Sequence, residues 1–74
     1  MTKSQKQAIV NMVTREMRWM YDNPEYNVPQ WYINLLESAQ FRLEMRDYSG
    51  AAHDITQAIE GRESAMKGVY NAVL

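Results

Sequence analysis

Ser49, His53 and Asp54 are the residues whose types could carry nucleophilic or acid–base chemistry, and they sit close together in the chain. A serine–histidine–carboxylate relay needs the carboxylate to orient the imidazole while the imidazole takes the hydroxyl proton. His53 and Asp54 are adjacent, and adjacent helical residues point about 100° apart. Asp54 is therefore badly placed to orient His53. Ser49 reads as a helix cap rather than a nucleophile. The chain has no cysteine, which removes disulfides and thiolate zinc sites. Its single histidine cannot form a histidine-pair metal motif. No glycine-rich phosphate loop occurs either. The expectation is a non-enzyme with no catalytic residue, no metal and no cofactor.

Other residue types point to recognition. Trp19, Tyr21, Tyr26, Trp31 and Tyr32 crowd one stretch of sequence. Tryptophan and tyrosine are enriched at the energetic centres of protein interfaces. They also close the open ends of helical bundles with their polar tips outward. Phe41 and Met45 are one turn apart and could form a docking strip or pack inside. Arg62 interrupts an apolar heptad, where an unpaired guanidinium would be costly. It could snorkel to the rim, pair internally with a carboxylate such as Glu37 or Glu44, or set the register of a dimer. Arg15 and Arg18 are close on one helix face, a weak nucleic-acid signal in a chain of net charge −1.

Three helices must position these residues, over about 4–21, 28–47 and 50–73. In the first, Ser4 with Gln7 reads as a capping box. Ile9, Val13, Met17 and Met20 make one face, widened by Val10 and Tyr21 on one side and by Met12 and Trp19 on the other. Asp22-Asn23-Pro24 is turn chemistry, and Asn27 with Gln30 reads as the next cap. Val28, Tyr32, Leu35, Leu36, Ala39 and Leu43 form the main face of the second helix, with Phe41 and Met45 nearly opposite. Asp47-Tyr48-Ser49-Gly50 is the second connection, with Ser49 as cap. In the third helix the heptad places Ala52, Ile59, Met66 and Val73 at a, and Ile55, Arg62 and Val69 at d. Ala51, Ala58, Ala65 and Ala72 flank it at g, beside Gly61 and Gly68. The fold expected is an all-α, antiparallel three-helix bundle forming one domain, with homodimerisation as an option.

The string RDYSGAAHDITQAIE carries a resemblance. Residues 35–60 resemble one tetratricopeptide unit, a two-helix hairpin. Leu35 and Ala39 match its large-then-small positions; Asp47-Tyr48, Ala51, Ile55 and Ala58 match its turn and second helix. Arg42 stands where that family has an aromatic, and no proline follows the second helix. The resemblance implies a helical hairpin and a binding role. It also implies a break near Gly61, where the heptad demands a continuous helix.

Size sharpens the functional expectation. A chain of 74 residues buries only about 60% of its unfolded surface and needs support from regular packing or self-association. Its apolar runs are too short for a signal peptide or membrane span. Positive charge concentrates in residues 1–21, where Lys3, Lys6, Arg15 and Arg18 face only Glu16. Six methionines supply adaptable packing surface. The leading expectation is a cytoplasmic, non-catalytic regulator, adaptor or inhibitor that binds another protein, in the style of phage accessory proteins. The alternatives are a nucleic-acid binder using the first helix and a structural subunit of a larger assembly.

Overall fold

The computed structural model describes the backbone of residues 1–73 and the side chains of residues 1–65. Three helices follow one another: α1 (Lys3–Asp22), α2 (Gln30–Glu44) and α3 (Tyr48–Val73). Lys6 of α1 lies over the Tyr48 ring at the start of α3, and Glu16 reaches Arg62 further along. Thus α1 and α3 run in the same direction and α2 returns between them. The architecture is an all-α three-helix bundle. No described helix is long and apolar enough to cross a membrane.

Each helix end has a local cause, and several differ from expectation. The cap of α1 is Thr2, not Ser4. Thr2 Oγ1 accepts from the Gln5 amide at 3.1 Å, and Gln5 Oε1 accepts from the Thr2 amide at 2.8 Å. Thr2 and Gln5 have the same spacing as Ser4 and Gln7, two residues earlier, so the helix gains a further half-turn. The Gln7 side chain bonds Asn11 instead. Helix α2 starts at Gln30, not Val28, because Pro29 disfavours helix at Val28. Pro29 is itself the N-cap; Asn27 does not cap, and no side chain bonds that end.

Helix α2 also ends early, at Glu44 rather than Asp47. The Asp47 amide donates to Arg42 O at 2.7 Å and the Arg46 amide to Leu43 O at 3.0 Å. This is a Schellman closure, with Arg46 at φ 61° in the left-handed position that favours glycine. Asp47 then caps α3, its Oδ1 accepting from the Gly50 amide at 3.0 Å. Ser49 is already inside the helix. One aspartate thus closes α2 with its backbone and opens α3 with its side chain.

The core is small and rich in alanine. Ile9, Val13, Tyr32, Leu36, Ala39, Ala51, Ile55 and Ala58 are its buried apolar residues. Ala39, Ala51 and Ala58 lack bulk, so α2 and α3 can pack closely. On α3 the fully buried row is Ala51, Ile55 and Ala58, while Ala52 and Ile59 are only half-buried. The alanine row is therefore part of the seam, not its flank. Ala65 is exposed. The heptad positions Met66, Gly68, Val69, Ala72 and Val73 lie outside the described side chains. Helix α3 runs unbroken through Gly61. A Cβ there would collide with the Trp31 indole. The glycine's place is thus explained by a ring lying on the helix backbone, which offsets its helix-propensity cost of about 1 kcal/mol.

Arg46 is exposed and held in a conformation that L side chains resist. Arg46→Gly is expected to stabilise the fold by about 1 kcal/mol, read as a higher urea midpoint at unchanged slope. An unchanged or lower midpoint would mean that the arginine side chain repays its strain.

Candidate interaction surface

Glu16 lies in the middle of the apolar face of α1, between Val13 and Met17. It is 5% exposed. Burying a carboxylate is costly unless it is paired and hydrogen-bonded. Here Arg62 of α3 meets it with both prongs, Nε to Oε2 at 2.8 Å and Nη2 to Oε1 at 2.6 Å. The Tyr32 hydroxyl of α2 donates to Oε2 at 2.6 Å. Burial pushes the Glu16 carboxyl up, but the Arg62 and Tyr32 hydrogen bonds and the Arg62 charge outweigh it, and the net shift is downward. Burial and then the Glu16 hydrogen bond push the Tyr32 hydroxyl up. Arg62 also stacks over Trp19, its guanidinium carbon 4.6 Å from the ring centre.

The aromatic residues assemble around this group. Trp19 meets Tyr26 at 5.7 Å and Tyr32 at 6.2 Å between ring centres, and Trp31 meets Tyr32 edge-on at 6.2 Å. Together with Arg62 they close one end of the bundle. This overturns part of the expected interface. Tyr32 is 1% exposed and Trp19 is half-buried, so neither offers a partner much surface. Arg62 pairs internally, as one of its expected alternatives had it, and the carboxylate it meets is Glu16 of α1. Tyr21, Tyr26 and Trp31 keep exposed area.

A second polar group sits at the other end. Asp54, 8% exposed, accepts from Ser38 Oγ at 2.6 Å and pairs with Arg42 Nε at 3.0 Å. Arg42 Nη1 reaches Asp47 Oδ2 at 2.7 Å. A Cβ on Gly50 would collide with this Arg42–Asp47 contact. His53 faces outward and shares a hydrogen bond with Gln57. Asp54 thus faces α2 while His53 faces solvent, and they form no dyad. No group of metal-ligating residues is found among the described residues.

Phe41 and Met45 stand out in the opposite sense. They are 62% and 66% exposed, on the side of α2 away from the core. Neither belongs to the buried core or to the half-buried apolar residues packed against it. Arg15 and Arg18 lie on the outer face of α1 with Asn11 and Thr14, beside a shallow groove of about 230 Å³.

Sequence reasoning missed Glu16, Asp54 and Ser38. For Glu16 a signal was present: it follows Val13 by three residues and precedes Met20 by four, a core spacing. Two opposite charges, Glu16 and Arg62, each interrupt an apolar face and could have been matched. The chain matches no protein-family model, no curated protein and no solved structure.

Because its pKa is depressed in the fold, Glu16 contributes stability that is present above the ordinary value of 4.5 and is lost as pH falls through the folded value. Asp47 acts in the same direction, through its bonds to the Gly50 amide and to Arg42. Glu16→Gln is expected to flatten the stability–pH curve below about pH 4.5 and to lower stability at pH 7 by about 3 kcal/mol. Chemical denaturation at stepped pH values measures both. Parallel curves for the two proteins would show that the carboxylate gains nothing from its partners.

Proposed function

We propose that this chain is a non-catalytic protein-binding module, a small regulator, adaptor or inhibitor that docks a partner on its exposed helix surface. The observation that carries the reading is the outward placement of Phe41 and Met45. Isolated surface apolar residues need no explanation, but an aromatic and a methionine one turn apart on an otherwise polar face form a compact docking spot. Methionine adapts its shape to a partner at small cost, and aromatic rings dominate interface energies. Trp31 and Tyr21 add exposed aromatic area on other parts of the surface.

The tetratricopeptide resemblance supports the same reading over its hairpin, though not at Gly61, where it implies a break and α3 runs on. Ala39, Ala51, Ile55 and Ala58 are fully buried, and Leu35 packs against the core, as in a tight helical hairpin. A lone hairpin of that type borrows its third helix here from α1. A protein of this kind suits the cytoplasm, since its architecture calls for neither disulfides nor a membrane.

Affinity capture from host lysate tests the reading. Phe41→Ser combined with Met45→Ser removes exposed side chains, so the fold should keep its stability within about 0.5 kcal/mol. The expected result is loss of a specific captured band with an unchanged circular dichroism spectrum. Undiminished capture by the double variant would place the interface elsewhere.

A further inference from the structure

We infer that the surface of α2 around Phe41 takes a cationic amphipathic helix of another protein. The inference rests on the docking role proposed above and names the chemistry of the occupant. Glu37 and Glu44 lie four residues before and three residues after Phe41, the spacings at which helical side chains are neighbours. Both are exposed, and neither forms an ion pair among the described residues. With Met45 they frame an apolar centre along one edge by two uncompensated carboxylates. Gln30 and Asn34 continue the face, bonded to each other. The cation within α2, Arg42, is turned to the α3 side and held by Asp47 and Asp54. Arg46, exposed and next to the capping residue Met45, turns away from the helical path at φ 61° and makes no ion pair with Glu37 or Glu44.

This arrangement selects among occupants. A second copy docking through the same face would pair two α2 helices about a two-fold axis. An isologous contact of antiparallel helices brings the same edge of each together. Glu37 of each copy would then lie opposite Glu44 of the other, and like charges across a contact disfavour it. A neutral apolar helix would cover Phe41 and Met45 while leaving both carboxylates partly desolvated and unpaired, which is costly. A helix with apolar residues one turn apart and lysine or arginine along one edge satisfies both parts of the surface. Apolar contact supplies affinity, and the edge charges supply orientation and association rate.

The test uses the full chain, labelled with nitrogen-15, and two synthetic amphipathic peptides of about 18 residues, five helical turns. One is built of leucine and lysine and the other of leucine and glutamate in the same pattern. The leucine–lysine peptide is expected to bind with shifts centred on residues 37–45, and more weakly as salt rises. The leucine–glutamate peptide is expected not to bind. Glu37→Lys with Glu44→Lys should weaken the first peptide about tenfold or more and reverse the preference. Phe41→Ser, tested separately, should abolish binding of both. Equal binding of the two peptides, indifference to charge reversal, or shifts centred on another face would overturn the inference. So would concentration-dependent self-assembly that Phe41→Ser abolishes, because a second copy would then be the occupant. If lysate capture depends on Phe41 while the peptides are not distinguished, only the partner's chemistry is wrong. If capture ignores Phe41, the docking role itself fails.

Discussion

A carboxylate placed inside the bundle constrains the rest of the structure. Glu16 accepts two hydrogen bonds from Arg62 and one from Tyr32, so its burial is compensated only when all three helices are present and in register. Sliding α3 by one turn, about 5.4 Å, would strand two opposite charges. Apolar contacts alone tolerate such slips, especially along a seam of alanines. The ion pair thus supplies the specificity that a small alanine-rich core lacks. The arrangement around it follows: Trp19 stacks on the guanidinium, Tyr32 stands edge-on to Trp19 and Trp31, and Trp31 lies on the bare backbone at Gly61.

A second polar group repeats the device about 12 Å along α3, eight residues at the helical rise. There Asp54 links Ser38 and Arg42 of α2, and Asp47 joins the same arginine to the start of α3. The α2–α3 hairpin is therefore pinned at the turn and again near the start of α2. With register set by charge, the helices approach on Ala39, Ala51 and Ala58. Tyr32, Leu36 and Ile55 supply the bulk beside them. Phe41 and Met45 fall on the opposite side of α2 by helical spacing and stay exposed.

Much of this was legible in the sequence. Helical periodicity gave the three elements, and the position of Phe41 and Met45 opposite the main face of α2 already followed from their numbering. Of the crowded aromatics, Trp19, Tyr26, Trp31 and Tyr32 meet one another where α1 ends and α2 begins, while Tyr21 stays exposed. What was not legible has physical reasons. Thr2 and Ser4 offer equivalent capping patterns, and only the first N–H groups of the helix decide between them. Arg46 in a left-handed conformation carries no local sign, because an Asn or Gly would ordinarily mark that site. Asp47 serves two helices at once, which a segment-by-segment reading divides between its neighbours. Tyr32 fell on the main face of α2 from its spacing, but the carboxylate that accepts from its hydroxyl lies sixteen residues away and carried no local sign. Arg62 was recognised as a problem, but its solution lay on α1, in a residue whose own misfit had passed unnoticed.

The central claim is that the Glu16–Arg62 contact specifies the bundle. A double-mutant cycle of Glu16→Gln and Arg62→Met, followed by urea denaturation at neutral pH, measures it directly. A strongly interacting buried pair should give a coupling energy of about 2 kcal/mol or more, with the double variant less destabilised than the two single changes added together. Additive effects, with coupling below about 0.5 kcal/mol, would contradict it and leave the register of the helices to apolar packing alone.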